Sequence, residues 1–312
     1  MDIQEAVVIG TGTMGPGIAA CLALAGARTT LVSREATTAM RGVFAAQALL
    51  QQLADNQLAE TAAVQDAIPR IFGADDITGP LLTADLVIEA IVEDMALKQK
   101  LFARLDQSAR PDAILTSDTS GLSITAIAKD TKRPERVITT HFWNPPHLMP
   151  LVEVVMGEKT DPAVATRVMG LLRDLGKEPV LILKDRPGQL GNRMQAAVVR
   201  EAINIVQEGI ASAEDVDKAI RTGFGLRMPM WGSLEHMDSV GLDLALAVQE
   251  YVLPDLNNEP RAPQLLRDMV ARGELGQKTG LGFYDGRTHD LEAAKKARDA
   301  FLIDFLRSRR KQ

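Results

Sequence analysis

The chain has 312 residues, 46% of them hydrophobic and 24% charged, which is ordinary for a globular protein long enough for two domains. Its net charge of −6 makes nucleic acid and anionic membranes poor candidate partners, because both attract basic surfaces. No segment approaches the roughly 20 apolar residues that cross a bilayer, and the N-terminus lacks the basic residues expected of a signal peptide. The single cysteine, Cys21, excludes an internal disulfide and fits a reducing compartment, so we expect a cytoplasmic protein.

The first half of the chain alternates short β-rich runs with helical stretches. Candidate strands lie at 6–10, 29–33, 85–92, 113–118, 136–142, 151–157 and 179–183. Residues 35–66 interrupt this alternation with an alanine- and glutamine-rich stretch, which predicts an inserted helical hairpin. Strands that alternate with helices are typical of a doubly wound, mainly parallel sheet. We therefore predict an α/β dinucleotide-binding domain of the Rossmann type over residues 1–185.

A break at residues 185–188, with the sequence DRPG, separates this half from the rest of the chain. Proline bars a regular helix there, and glycine permits a turn. Ser212, with Asp215 three residues later, indicates the start of a helix. Apolar residues recur at helical spacing in 191–209, and further helices fit the segments 239–251, 261–273 and 290–308. We therefore predict an all-helical C-terminal domain over residues 186–312.

A glycine-rich loop follows the first strand. Gly10, Gly12 and Gly15 have the spacing GxGxxG between a strand and a helix, which is the context in which this motif binds a dinucleotide. The first glycine allows a tight turn, the second lets the pyrophosphate approach the backbone, and the third lets the helix pack on the strand. Thr13 and Met14 lie in the same loop and are expected to contact the cofactor. A purely structural glycine turn is the alternative interpretation.

The end of the second strand bears on the choice between NAD and NADP. NAD binders have an acidic residue there for the ribose 2′-hydroxyl, but this chain has Ser33 followed by Arg34. Ser33 can hydrogen-bond a 2′-phosphate and a guanidinium suits phosphate geometry, so the pair favours NADP(H) slightly over NAD(H). NAD remains open if Arg34 stacks on the adenine or points into water, since Glu35 is close.

His141, one of four histidines, is the only one at the end of a predicted strand, where α/β sheets bind their ligands. Twelve residues later Glu153 interrupts an apolar strand, and a carboxylate among valines is costly to bury without a partner. A returning strand can place Glu153 beside His141, where it orients the imidazole and stabilises its protonated form. Histidine titrates near neutral pH and suits the general base of an alcohol oxidation. From spacing alone, a structural pair or two unpaired surface groups remain alternatives.

The chain also resembles the 3-hydroxyacyl-CoA dehydrogenase family. Six motifs occur in that family's order over about residues 4–287: GTGTMGPGIA, VIEAIVED, SDTSGLSIT, HFWNPPHLMPLVEV, DRPGQLGNR and KTGLGFYDG. The resemblance implies NAD(P)-dependent oxidation of a secondary alcohol, with His141 as general base and Glu153 as its partner. It also implies that the substrate lies against Ser120, Asn144 and Asn192.

The resemblance extends to the cofactor cleft and to assembly. It implies that Glu93 and Lys98 line the cleft, although a helix-start acid and a solvated lysine are the alternatives. The family's helical domain forms its dimer interface, which implies a homodimer here by analogy. Neither the residues nor the resemblance indicates a metal.

Several departures from the family pattern bear on the substrate. Ser33 replaces the usual acid, and residues 1–97 contain no lysine, although acyl-CoA members carry lysines near the CoA in the 35–66 insertion. Asp118 and Gly121 replace an asparagine and a serine, and His147 is an additional histidine. The chain thus resembles the branch that acts on free hydroxy acids, with enzymes similar to gulonate, carnitine and hydroxymethyl-pyridine carboxylate dehydrogenases. Alternatives are oxidation of 3-hydroxybutyryl-CoA or another 3-hydroxyacyl-CoA, and a non-catalytic, crystallin-like NAD(P)-binding protein.

Overall fold

The computed structural model describes residues 3–310, in two compact units. One unit extends to Arg193 and also includes the segment from Arg298 onward, and the other is Met194–Ala297. The first unit holds the sheet, and the second is built of helices. The segment from Arg298 groups with the sheet, whereas we expected all of residues 186–312 to form the helical domain.

An eight-stranded sheet forms the centre of the first unit. Its strands are β1 (Glu5–Ile9), β2 (Arg28–Val32), β3 (Ile71–Ala74), β4 (Leu86–Glu89), β5 (Ile114–Ser117), β6 (Val137–Phe142), β7 (Leu151–Met156) and β8 (Glu178–Ile182). Their order is β3-β2-β1-β4-β5-β6-β7-β8, and every neighbouring pair is parallel except β6 and β7. The predicted fold class, a Rossmann-type sheet with a helical C-terminal domain, is confirmed.

Helices flank this sheet and make up the second unit. Those of the sheet domain are α1 (Gly15–Leu24), α2 (Ala36–Asp55), α3 (Thr61–Ala67), α4 (Thr78–Leu81), α5 (Met95–Ser108), α6 (Ile124–Ile127) and α7 (Pro162–Asp174). They are followed by α8 (Gly191–Gln207), α9 (Ala213–Thr222), α10 (Phe224–Arg227), α11 (Ser233–Val240), α12 (Leu242–Val252), α13 (Gln264–Ala271) and α14 (Leu291–Arg310). Among residues 3–310, no helix has the length and apolar character that crossing a bilayer requires.

The central strand β1 is buried on both of its faces. Val8 belongs to a core cluster that contains Ile18 of α1, whereas Val7 belongs to a second cluster that contains Phe102 of α5. A parallel strand covered by helices on both sides must be apolar at every position, not at alternate ones. This requirement explains why β1 appears in the sequence as a continuous apolar run.

Two local predictions need correction. The helical stretch predicted at 35–66 corresponds to α2 and α3, but it leads into β3, which the sequence analysis missed, and not directly into the strand near residue 85. β3 has only four residues, and its glycine, Gly73, weakens the strand pattern. In the second unit, the helix predicted at 239–251 is divided at Gly241, whose φ of 96° ends α11 and precedes α12.

Candidate active site

The carboxyl ends of β4, β5 and β6 border a cavity of about 390 Å³. Its lining contains Met14, Ala90, Ile91, Glu93, Asp118, Ser120, His141, Phe142, Trp143, Asn144 and Asn192. Six predicted site residues are thus brought together from the glycine loop, three strand ends and the start of α8. This is the edge of the sheet at which open α/β proteins bind their ligands.

The glycine loop has the shape that a dinucleotide requires. Gly10 has a φ of 118°, and a Cβ there would lie 2.4 Å from the carbonyl oxygen of Ala90. A Cβ on Gly15 would lie 1.9 Å from the carbonyl oxygen of Gly10, so helix and loop approach too closely for any side chain. A Cβ on Gly12 would meet nothing within 4 Å, which leaves space beside the backbone at the N-terminus of α1. These features fit a pyrophosphate bound at this loop.

The residues Ser33, Arg34 and Glu35 follow the end of β2, beside the glycine loop. Ser33 is half-buried, and its Oγ accepts a hydrogen bond from Thr11 Oγ1 at 3.4 Å. Arg34 is exposed and forms no hydrogen bond or ion pair with any other residue in the range 3–310. Glu35 is also exposed, and it directly precedes the first residue of α2. Both charged side chains are therefore available to a ligand.

His141 and Glu153 are paired directly across the antiparallel strands β6 and β7. His141 Nδ1 lies 2.7 Å from Glu153 Oε2, and Glu153 is fully buried. Trp143 Nε1 donates to the same oxygen at 3.0 Å, and the backbone N–H groups of Leu190 and Gly191 donate to Oε1 at 3.0 and 2.8 Å. Burial alone would raise the pKa of Glu153, but these hydrogen bonds, that of His141 foremost, lower it to about 2.

The ionised Glu153 fixes the state of the His141 ring. A carboxylate only accepts hydrogen bonds, so Nδ1 must carry the hydrogen in the contact with Glu153. In the neutral ring, Nε2 then keeps its lone pair, and no other residue between 3 and 310 bonds to it. His141 is 7% exposed and lines the cavity, so this lone pair can receive a proton from a bound molecule.

Ser120 and Asn192 meet beside Glu93. Glu93 Oε1 accepts hydrogen bonds from Thr119 Oγ1 at 2.6 Å and from the Ser120 backbone N–H at 3.0 Å. Ser120 Oγ donates to the same oxygen at 3.3 Å, and Asn192 Nδ2 donates to the Ser120 carbonyl at 2.8 Å. The loop that contains Thr119 and Ser120 is therefore held by Glu93 and by Asn192, and Ser120 is part of the cavity lining.

Lys98 contributes to this site indirectly, through an ion pair with Glu93. Its side chain is 1% exposed and does not line the cavity, so the alternative of a solvated lysine is wrong. Its ammonium group lies 2.5 Å from Glu89 Oε1 and 3.3 Å from Glu93 Oε2. Glu89 also accepts from Ser117 Oγ at 2.6 Å and is fully buried, although the sequence analysis did not single it out. Glu89 could have been identified by the same sequence feature that identified Glu153, namely a carboxylate within an apolar strand.

Two further polar residues of the segment after β6 have different positions. Asn144 is exposed in the cavity lining and precedes Pro145 through a cis peptide bond. His147 lies outside this lining, with its Nε2 3.0 Å from Gln52 Oε1. Burial and the ammonium group of Lys177 lower the pKa of His147 to about 4, so it is neutral at physiological pH. Trp143, which the sequence analysis did not select, lines the cavity and also donates a hydrogen bond to Glu153.

Comparison with known proteins gives matches over nearly the whole chain. Residues 5–186 match the 3-hydroxyacyl-CoA dehydrogenase NAD binding domain, and residues 188–286 match the C-terminal domain of the same enzymes. The chain is 33% identical over 304 residues to 5-formyl-3-hydroxy-2-methylpyridine 4-carboxylate 5-dehydrogenase of Mesorhizobium japonicum, with 96% of each chain covered. It is 38% identical over 286 residues to a probable 3-hydroxybutyryl-CoA dehydrogenase of Bacillus subtilis, with 91% of this chain and 98% of the relative covered.

Solved structures agree with these matches. A crystal structure described as 5-formyl-3-hydroxy-2-methylpyridine 4-carboxylic acid 5-dehydrogenase, an NAD+ dependent dismutase, superposes with a TM-score of 0.89. That superposition has 30% identity and covers 99% of this chain and 98% of the other. The (S)-3-hydroxybutyryl-CoA dehydrogenase of Ralstonia eutropha gives a TM-score of 0.76 at 36% identity, over 91% of this chain and 99% of the other.

Proposed function

The chain belongs to the 3-hydroxyacyl-CoA dehydrogenase family, and from that premise we propose that His141 is its general base and that Glu153 orients it. The enzyme is an NAD(P)-dependent dehydrogenase that acts on a CH–OH group. The observation that carries the proposal is the 2.7 Å contact between His141 Nδ1 and Glu153, which leaves Nε2 free to accept a proton in the cavity.

In the proposed reaction, residues of the site accept the proton of the substrate hydroxyl and hold the alcohol in position. A nicotinamide cofactor held at the loop of Gly10, Gly12 and Gly15 would supply the acceptor for the hydride of the carbinol carbon. His141 Nε2 takes the hydroxyl proton, and the ionised Glu153 stabilises the imidazolium that forms. Ser120 and Asn192 border the same cavity and position the hydroxyl oxygen. Asn144 also borders this cavity, and Glu93 holds the loop that contains Thr119 and Ser120.

We infer that the substrate is a free 3-hydroxy acid or a related alcohol. Over residues 35–66 the charged side chains are Arg41 against four acids, namely Glu35, Asp55, Glu60 and Asp66, and residues 1–97 contain no lysine. Such a hairpin repels the phosphates of CoA. The similarity to the pyridine carboxylate dehydrogenase also extends over 304 residues, against 286 for the 3-hydroxybutyryl-CoA enzyme of Bacillus subtilis. Oxidation of a 3-hydroxyacyl-CoA is the alternative.

We propose that NADP(H) is preferred slightly over NAD(H). The match to the family's NAD binding domain supports NAD(H) at the glycine loop, and the preference for NADP(H) is proposed from Ser33 and Arg34 alone. Ser33 offers no charge to repel a 2′-phosphate, and the exposed Arg34 has no competing partner in the range 3–310. When Arg34 turns toward the 2′-phosphate, the charge-assisted contact contributes about 1.5–3 kcal/mol, roughly tenfold to a hundredfold in affinity; when it points outward, Ser33 alone gives little discrimination.

We further propose a cytoplasmic homodimer that assembles through the helical domain. Support for the compartment is the single cysteine, Cys21, which is free and buried. Support for the dimer is the apolar surface of α12, of which no residue is buried within this chain. Small-molecule substrates, not nucleic acid or membranes, remain the expected partners of the acidic chain.

A substrate panel tests the function. Free 3-hydroxy acids and 3-hydroxyacyl-CoA thioesters are each assayed with NAD+ and with NADP+. We expect the highest kcat/KM for a free acid with NADP+. A CoA substrate at least tenfold better than every free acid overturns the substrate class, and tighter binding of NADH than NADPH overturns the cofactor preference. Intact cofactor binding without turnover of either class supports the crystallin-like alternative.

The base is tested by replacing His141 with alanine. We expect kcat to fall by about 100-fold or more, the usual scale for losing a general base, with little change in the Kd of the cofactor. His289→Ala is the matched control, because His289 stacks on Tyr284 in the second unit and is expected to leave kcat unchanged. Near-normal turnover by the His141→Ala enzyme overturns the assignment.

A further inference from the structure

The end of β5 contributes an acid that the proposed reaction does not use. Asp118 directly follows the last residue of β5 and lines the cavity together with Ser120 and His141. Its Oδ1 accepts a hydrogen bond from the Phe142 backbone N–H at 2.7 Å. Its Oδ2 bonds to no other residue in the range 3–310, and Asp118 is only half-buried. A free carboxyl oxygen thus lies beside the proposed base.

More acidic than basic side chains surround Asp118. Glu89 and Glu93 share the single ammonium group of Lys98, which leaves one negative charge before Asp118 ionises. Burial raises the pKa of Asp118 well above its ordinary value, and the two glutamates raise it further against the opposing effects of the Phe142 N–H and Lys98. A second negative charge at this place is therefore costly unless a positive charge arrives with a ligand.

The sheet order indicates which part of the cofactor arrives there. β2 and β3 lie on one side of β1, and β4, β5 and β6 lie on the other. In sheets of this order a dinucleotide lies across the point where the order reverses, with one mononucleotide on each half. Ser33 follows β2 and faces the adenosine half, so Asp118, which follows β5, faces the nicotinamide half. The nicotinamide ring has one positive charge when oxidised and none when reduced.

We propose that Asp118 couples the oxidation state of the bound nicotinamide to one proton on the enzyme. The oxidised ring stabilises ionised Asp118, whereas the reduced ring leaves the crowded acids unopposed and Asp118 protonated. Binding of oxidised cofactor to the protonated enzyme therefore releases a proton to solvent, and binding of reduced cofactor does not. Affinity for the oxidised form, relative to the reduced form, consequently rises with pH. This inference rests on the proposed nicotinamide site but not on the identity of the substrate.

Other charged groups face Asp118 from the neighbouring elements. The pKa of Glu93 is lowered and that of Glu153 is lowered to about 2, so both carboxylates are ionised at neutral pH. His141 on β6 also lines the cavity, and an imidazolium there would repel an oxidised ring, so the measurement is made in a variant that lacks this imidazole. The ratio of the two Kd values cancels every pH effect that the oxidised and reduced cofactors share, including titration of the adenosine phosphates.

The test uses the His141→Gln enzyme as its background. Oxidised and reduced cofactor are titrated calorimetrically between pH 5 and 9, with NAD(H) and NADP(H) in parallel. We expect the ratio of the Kd of the oxidised form to that of the reduced form to fall by about tenfold or more as pH rises, the scale of one charge pair at short range. The ratio is expected to be flat after Asp118→Asn, which keeps the carbonyl acceptor for Phe142, and to fall normally after the exposed control change Asp130→Asn.

Proton release gives a second readout that needs no Asp118 variant. Titrations in buffers of different ionisation enthalpy are expected to show release of a proton fraction on binding of oxidised cofactor only. A ratio independent of pH, or equal proton release with both forms, overturns the inference and leaves the proposed function intact. Failure of the wild type to bind any nicotinamide cofactor overturns both.

Discussion

Glu153 is a buried carboxylate that the fold keeps ionised. Its pKa in the folded protein is about 2, below the ordinary value of 4.5, so the native state binds its proton less readily than the unfolded chain does. The resulting stabilisation is fully present above pH 4.5 and is lost as pH falls through the folded pKa near 2. The lowered pKa corresponds to about 3 kcal/mol.

Replacing Glu153 with glutamine tests this account. At pH 7 we expect the free energy of unfolding of the sheet domain to fall by about 3 kcal/mol, and kcat to fall at least tenfold because the imidazolium loses its counter-charge. The stability difference from wild type is expected to shrink toward zero as pH approaches 2, because Glu153 is then protonated in the wild type as well. Glu158→Gln, an exposed change after β7, is the control in urea unfolding. An equal difference at pH 7 and pH 3 contradicts the prediction.

Individual residues differed in how far the sequence could identify them. His141 and Glu153 were predictable because a strand end and a carboxylate among valines are visible in the sequence. Lys98 was not predictable as a buried residue, since its burial depends on Glu89 and Glu93, which approach it only when β4 and α5 pack together. Long-range pairing of charges has no local sequence signal, so the cluster beneath the site appeared only in the structure.

At the scale of elements, the C-terminal part of α14 packs against the tip of the helical hairpin formed by α2 and α3. Ile303 packs in one cluster with Leu53 and Leu58 from that tip. Arg307 donates to the carbonyl oxygen of Asn56 at 2.6 Å and to its side-chain oxygen at 3.2 Å. Arg307 and Asn56 are 251 residues apart, so helix periodicity predicted α14 but not the surface against which it packs. β3 was missed for a related reason, because a four-residue edge strand with a glycine depends on pairing with β2.

Removing the Arg307 side chain is expected to weaken the contact between α14 and the tip of the hairpin. The two hydrogen bonds from a charged, partly buried guanidinium are worth about 1–2 kcal/mol of stability, so Arg307→Ala is expected to lower the unfolding midpoint and to speed amide exchange at the end of α2. Arg309→Ala is the matched control, because its ion pair with Glu178 is largely exposed and worth less than about 0.5 kcal/mol. Equal effects of the two changes, or unaltered exchange near Asn56, contradict the role given to Arg307.

At the scale of the whole molecule, the helical unit exposes more apolar surface than a monomer usually does. In α12 the side chains of Leu244 and Val248 are 57% and 49% exposed, and Tyr251 on the same face is 86% exposed. Soluble monomers seldom leave a contiguous apolar helix face in water, and such faces mark association surfaces. Residues four and seven apart lie on one side of a helix, so these three form a single stripe.

Charged residues on this stripe are therefore expected to dissociate the protein. The wild type is expected to have a mass in solution of about 68 kDa by light scattering, twice the 33.8 kDa of one chain. The double change Leu244→Glu with Val248→Glu is expected to give monomers, because two carboxylates cannot be buried in an apolar interface without partners. Leu82→Glu is the control, since Leu82 is 66% exposed in the first unit and its change is expected to leave the mass unaltered. Circular dichroism checks that the double variant keeps its helices, which separates dissociation from unfolding. A wild-type mass of one chain at micromolar concentration, or a folded double variant that stays dimeric, contradicts assembly through α12.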